Sequence, residues 1–179
     1  MGYAVLLYFD DKTEQSILAL RHVLTKQGVE TSIDKSGKRP HVSLAGFSDV
    51  TNSDLLILLV QEYAKNLTSF DVRFDSLDVF PSTESVLFLS PTPTIQLLTY
   101  HKEFHQKLSR NKFVSSLYYV PENWMPHCTV KMNIPEEQLA KAAEACGKNF
   151  KPIQGQFQEI GVVEYFPVKS LETWSIAAK

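Results

Sequence analysis

Cysteine is scarce in this chain of 179 residues: there are two, Cys128 and Cys146, with no CxxC spacing. That excludes a disulfide framework and a zinc ribbon and fits a reducing compartment. A cationic excess is missing as well. Eighteen Lys and Arg against 20 Asp and Glu leave a net charge of −2. This argues against a broad nucleic-acid-coating surface, while a few local cations could still hold a small nucleotide or a strand end. No apolar run approaches the roughly 20 residues that span a bilayer, so no membrane partner is expected. Residues 4–9 have neither a cationic lead nor a small-residue cleavage site, which argues against a secretory signal. After Gly2, Leu6 stands where a myristoylation motif needs Ser or Thr. The expected location is cytoplasmic, with nuclear entry left open. No Gly-, Ser- or Pro-rich linker divides the chain, so residues 1–179 read as a single bilobal domain, and a monomer.

What is present is one short pattern written twice. Pro40-His41-Val42-Ser43-Leu44 and Pro126-His127-Cys128-Thr129-Val130 both read Pro-His-apolar-hydroxyl-apolar. On a strand, side chains alternate between faces. His41 and Ser43 then share one face and His127 and Thr129 share another, while Val42, Leu44, Cys128 and Val130 anchor the strands from behind.

The rest of the chain alternates strands and helices. An apolar strand over 3–9 precedes a helix capped by Asp11 with Glu14 as capping-box partner, and Gly28 ends it. Residues 29–38 form a polar loop, read either as a solvated connection or, with Lys35 and Lys38 close to Arg39, as a phosphate-attracting rim beside His41. The first motif strand covers 39–47, and Thr51 opens a second helix. In 70–80 the apolar phase slips between Phe74 and Leu77, the signature of a bulge; Pro81 and Ser82 then turn the chain into a strand over 85–89. A helix starts at Thr92-Pro93 and runs to Arg110. Its apolar stripe of Leu97, Phe104 and Leu108 holds His101 at its centre and His105 at its flank, so both read as satisfied core groups, whereas His22 reads as solvated. Residues 111–125 are irregular. The second motif strand (125–132), a helix from Pro135 to Gly147, and strands over 154–166 and 169–177 complete the chain. Both cysteines read as packing thiols.

The histidines are 86 positions apart, and the same offset carries Phe80-Pro81 onto Phe166-Pro167. The order strand, helix, motif strand, helix, strand therefore occurs twice, roughly over 1–84 and 85–179. The fold class is α+β. A duplicated β-α-β-α-β unit builds two mainly antiparallel sheets around a pseudo-twofold cleft, with helices outside and the motif strands central.

Two histidines facing one cleft can serve as general base and general acid, because imidazole titrates near neutrality. Ser43 and Thr129, on the same faces, can donate hydrogen bonds to an oxyanion between them. The ligand that asks for this arrangement is a phosphodiester: two non-bridging oxygens, an attacking oxygen on one side and a leaving oxygen on the other. Lys131 alternates with His127 and Thr129 and would extend the cationic face. Two histidines without an in-phase carboxylate or thiolate make a poor zinc shell, so no metal is expected.

The paired His-x-Ser/Thr strings in a duplicated chain of this length resemble those of the two-histidine (2H) phosphoesterases, which include RNA 2′,3′-cyclic phosphodiesterases and 2′-5′ RNA ligase-like proteins. The resemblance spans the whole chain and carries His41, Ser43, His127 and Thr129 over as catalytic. It implies the bilobal α+β fold, no cofactor, no metal, and hydrolysis of a 2′,3′-cyclic phosphate on a nucleotide or RNA terminus. The motif symmetry leaves open which histidine is base and which is acid; His127 is the first choice for the base. Trp124, Tyr119 and Phe47 are candidates for an aromatic wall that stacks a base, with core packing the alternative for each; Arg39 and Lys131 are candidate phosphate contacts, with a solvated strand end the alternative for Lys131. The alternatives are a 2′-5′ oligonucleotide phosphodiesterase or RNA-end processing enzyme, and a nucleotide-binding module without turnover.

Overall fold

The computed structural model describes residues 2–29, 33, 36–80, 85–165 and 168–178. Among the described residues, seven strands, β1 (Gly2–Phe9), β2 (His41–Phe47), β3 (Phe70–Phe80), β4 (Val86–Pro91), β5 (Cys128–Lys131), β6 (Ile153–Tyr165) and β7 (Lys169–Ser175), join with helices α1 (Asp11–Lys26), α2 (Ser53–Ala64), α3 (Ile95–Arg110) and α4 (Glu136–Asn149). The expected elements are present, with shifted caps. Asp10, not Asp11, caps α1 by accepting from Thr13 N–H at 3.0 Å, and Glu14 turns away to Arg39 instead of closing a capping box. Asn52 caps α2 and Thr94 caps α3. Each is an oxygen-bearing side chain that relieves orphan amides of the first turn. The expected bulge in β3 is present: Phe74 pairs with Pro91 and Ser76 with Ser90, leaving Asp75 over. The turns at Pro81 and at Phe166-Pro167 lie outside the described residues.

The strand order is β2-β1-β6-β3-β4-β5, with β7 beside β6, and these strands pair antiparallel. The two expected sheets are thus halves of one sheet, joined where β3 pairs with β6 over Phe70–Phe74 and Ile153–Phe157. A pseudo-twofold axis passes through that seam and relates β2-β1-β6 to β5-β4-β3. The register repeats across it. Leu7↔Val42, Leu6↔Ser43 and Val5↔Ala45 in one half match Leu89↔Cys128, Phe88↔Thr129 and Leu87↔Lys131 in the other. Each motif strand carries its extra residue in the same place, Leu44 or Val130.

One expectation is overturned here. The motif strands are not central but lie at the two ends of the strand order, and curling of the sheet brings β2 and β5 near each other. Sheet twist accumulates over successive strands, which is how two edges can meet.

The helices cover one face of the sheet. Phe9, Phe70, Phe74, Phe104 and Phe157 form the centre of that core with Val5, Leu7, Val42, Leu44, Cys128 and Val130. Burying each large apolar side chain contributes about 1.5–3 kcal/mol. The opposite face carries a small second cluster of Leu6, Tyr8 and Val163 with Ala4 packed on it, and this is the face on which the motif histidines lie. Among the described residues, no helix is long and apolar enough to cross a membrane.

Candidate active site

His41, Ser43, His127 and Thr129 are all half-buried, while the residues between and after them, Val42, Leu44, Cys128 and Val130, are buried in the core. The strand alternation read from the sequence therefore holds over each motif. The two imidazoles are held alike. His41 Nδ1 lies 2.7 Å from the carbonyl oxygen of Arg39, and His127 Nδ1 lies 2.8 Å from that of Met125. A carbonyl can only accept, so each Nδ1 carries the hydrogen and each Nε2 is left to exchange a proton with a ligand. Proline explains the local geometry. Pro40 and Pro126 sit between each histidine and its acceptor, fix φ near −65°, and push the residue before them into extended conformation.

The two sites differ electrically. Burial pushes the His41 imidazole down to about 4, and the charges of Arg21 and Lys38 and the nearness of His127 push the same way, against the Arg39 carbonyl. His127 is lowered by burial alone, opposed by the Met125 carbonyl. His41 is thus the imidazole whose surroundings hold it neutral more strongly.

Braces cross between the halves. Arg21 of α1 is buried and donates Nη1–H to Lys38 O at 2.7 Å, just before the first motif, and Nη2–H to Thr129 O at 2.9 Å, inside the second. In the reverse direction, His101 and His105 of α3 place Nε2 at 3.2 and 2.9 Å from Leu44 O of the first motif strand. Both are buried, and burial pushes His101 down to about 3 and His105 below its usual value. They are neutral donors that satisfy a strand edge, as expected of core histidines. Trp124 completes this clamp. Its Nε1–H donates to Ser43 O at 3.0 Å, and its ring stacks on His101 at 3.6 Å and 1°. Farther along the edge, Ser116 N–H donates to Gly46 O at 2.7 Å and the Tyr165 hydroxyl to Phe47 O at 2.7 Å. An edge strand left open is a hazard; here the 111–125 segment covers it.

The remaining predicted contacts separate. Tyr119 shares a hydrogen bond with the Ser43 hydroxyl, and its ring lies so close to Gly46 that a Cβ there would come within 2.7 Å. Trp124 meets the backbone of the motif strand with its indole N–H and packs on the core. Phe47 is buried against Phe113, and Lys131 is fully buried with its ammonium 2.9 Å from Thr25 Oγ1. Neither faces the cleft. The extra residues Leu44 and Val130 break the two-residue alternation after each hydroxyl, so whatever follows turns toward the helices. Arg39 stays in phase with His41, but its guanidinium pairs with Glu14 at 3.0 Å and Glu159 at 2.8 Å and lies 4.4 Å over the Tyr8 ring. Its charge is already compensated. His22 is exposed and both cysteines are buried. Burial pushes Cys128 up to about 12 and Cys146 to about 11, as expected of packing thiols.

Sequence reasoning missed three groups. Arg21 lies on a helix stripe otherwise made of Ile17, Leu20 and Leu24, and a cation among buried apolar residues was the available signal. Tyr8 packs edge-on to His41 at 6.3 Å. Phe80 and Phe88 stack on each other at 4.1 Å and both meet His127 edge-on, at 5.1 and 5.5 Å. Among the described residues, no three His, Cys, Asp or Glu side chains converge as a metal site would require.

The chain has clear relatives. The sequence profile of the 2′-5′ RNA ligase superfamily matches residues 9–166. No curated protein matches by sequence. Among solved structures, TT0787 of Thermus thermophilus superposes with a TM-score of 0.68 at 11% identity, over 100% of both chains. E. coli LigT, in its complex with 3′-AMP, gives 0.63 at 14% identity over 97% of both. Usb1 of Kluyveromyces marxianus gives 0.52 at 12% identity, over 95% of this chain and 96% of its own. At such identities these likenesses establish the fold.

Proposed function

Because the chain belongs to the 2′-5′ RNA ligase superfamily, the two-histidine phosphoesterases, we propose that it is a metal-independent phosphodiesterase that opens a 2′,3′-cyclic phosphate on a nucleotide or RNA end. The observation that carries this reading is the matched pair of imidazoles. Both are anchored through Nδ1 to the carbonyl two residues back, both keep Nε2 available, and each has a hydroxyl two residues on. A twofold-related pair suits in-line displacement, in which the attacking and leaving oxygens lie on opposite sides of phosphorus.

In this reaction a water oxygen bonds to phosphorus and gives its proton to one Nε2. The bond from phosphorus to one ribose oxygen breaks, and the other imidazole, protonated, supplies the proton that oxygen needs. Each transfer contributes about 10²–10⁴-fold. The Ser43 and Thr129 hydroxyls donate to the non-bridging oxygens as charge builds. Both imidazoles are held low in the free protein, so the phosphate anion itself must favour the proton on the acid. Opposite charge nearby raises an imidazole's affinity for a proton. Since one chain carries both motifs, a monomer suffices. The nucleotide held by LigT in its 3′-AMP complex supports a ligand of this class.

The test is turnover of nucleoside 2′,3′-cyclic phosphates, 2′-5′ dinucleotides and RNA ending in a cyclic phosphate, in excess EDTA. Hydrolysis of the cyclic phosphates is expected, with His41→Ala and His127→Ala each losing at least about 100-fold. Loss of activity in EDTA that a divalent ion restores, or a single histidine variant at wild-type rate, refutes the mechanism. Binding without turnover points to the nucleotide-binding module.

A further inference from the structure

The scaffold is twofold-symmetric but its cleft face is not, and the register allows the halves to be compared position by position. The partner of Ser43 across the strand pair is Leu6, and the partner of Thr129 is Phe88. Next to Leu6 on the same strand and face, Ala4 pairs with Val163; next to Phe88, Val86 pairs with Phe80. So Leu6 and Val163 on the His41 side correspond to Phe88 and Phe80 on the His127 side. The aliphatic pair is buried in its own small cluster. The aromatic pair belongs to neither apolar cluster, and Phe80 is half-buried.

Among the described residues, the other rings near the histidines are engaged. The face of Tyr8 is under the Arg39 guanidinium and the residue is 5% exposed. Trp124 is stacked on His101 and hydrogen-bonded to Ser43 O. Tyr119 lies with its ring against Gly46 and its hydroxyl on Ser43. Phe80, by contrast, has Phe88 stacked on one face as a rigid backing and His127 at its edge.

From this asymmetry we infer that the nucleoside of the substrate lies on the His127 side of the cleft with its base stacked on Phe80. The inference rests on the phosphodiesterase reading and orients it. The departing oxygen belongs to the ribose, so the histidine on the nucleoside side must protonate it. His127 is then the general acid, and His41, on the far side of phosphorus, takes the proton of the attacking water. The water O–P bond forms, the P–O(ribose) bond breaks, one proton passes to His41 Nε2 and one leaves His127 Nε2. Solvent exchange restores both. This reverses the first choice made from the motifs alone. The cationic surroundings of His41 agree with it, since Arg21 and Lys38 disfavour a second positive charge there.

Two measurements test this. The first is the ratio of kcat/KM for adenosine 2′,3′-cyclic phosphate to that for the base-free methyl riboside 2,3-cyclic phosphate. Stacking of one base is worth about 1–3 kcal/mol, so Phe80→Leu should cut the ratio by roughly 5- to 150-fold and Phe80→Tyr should keep it. An unchanged ratio in Phe80→Leu overturns the platform. The second uses an adenosine 3′-diester with a p-nitrophenolate leaving group, which departs without protonation. His127→Ala should be rescued on it by at least about 100-fold relative to the cyclic phosphate, and His41→Ala should not. Rescue of His41→Ala instead overturns the orientation. Should the protein turn over neither diester, the phosphodiesterase reading fails, and titration with 3′-AMP judges the platform separately. Binding weaker by at least about fivefold in Phe80→Leu upholds it; equal binding, or none by the wild type, overturns it.

Discussion

Replacing Arg21 with methionine should weaken the whole molecule and alter one histidine in particular. The guanidinium is buried and donates to two carbonyls, Lys38 O at 2.7 Å and Thr129 O at 2.9 Å. Hydrogen bonds to a charged group contribute about 1.5–3 kcal/mol each, so the pair contributes about 3–6 kcal/mol. Against this, methionine is spared the several kcal/mol that burying a cation costs. The net loss expected is about 1–3 kcal/mol, or roughly 2–12 °C in Tm for a domain of this size, read by urea denaturation followed by circular dichroism. A second signal separates charge from packing. Arg21 helps hold His41 down at about 4; without that cation the protonated imidazole is less disfavoured, so its pKa rises. Imidazole NMR titration measures this directly. Arg21→Lys keeps the charge but not the two-pronged reach, so it should keep His41 low while recovering only part of the stability. A loss below about 1 kcal/mol with the His41 titration unmoved in Arg21→Met would refute the view that this residue couples the two motifs.

Two further outcomes are expected. Four of the five histidines, His41, His101, His105 and His127, are held below their ordinary value near 6.5. The unfolded chain therefore binds protons before the native one does, so stability is full above about pH 6.5 and declines as pH falls toward about 4, by up to roughly 1.4 kcal/mol per pH unit per histidine. Tm should be lower at about pH 5 than at about pH 7.5, and equal values would sink the argument. Gly46→Ala would put a Cβ 2.7 Å from the Tyr119 ring, costing about 1–3 kcal/mol and displacing the hydroxyl that meets Ser43. A variant with wild-type Tm and turnover would show that this contact does not matter.

Much of this is legible without coordinates. His41, Ser43, His127 and Thr129 share their faces because strand alternation is a property of a few consecutive residues. The prolines that set each Nδ1 on a carbonyl are written beside the histidines. Cys128, His101 and His105 read as core groups and are core groups. Two of the misplacements have one cause. Phe47 and Lys131 reach the cleft only if the alternation is extended past Leu44 and Val130, and those two residues are extra in their strands. A bulge depends on how two strands pair, and pairing is not visible in either strand alone. Arg39 reads as a free cation because its partners Glu14 and Glu159 are 25 and 120 residues away in sequence.

By itself, then, the sequence determined the two Pro-His-x-Ser/Thr strings, the shared face of each histidine and hydroxyl, and the apolar anchors behind them, because strand alternation depends on a few consecutive residues. Only the tertiary structure decided that the motif strands are the ends of one curled sheet, that Arg21 and the His101–His105 pair each grip the other half's strand, and that, among the described residues, the Phe80–Phe88 pair lies beside His127. Those facts join residues far apart in the chain. They arise from how the sheet closes and how its two halves pack, which no local pattern contains.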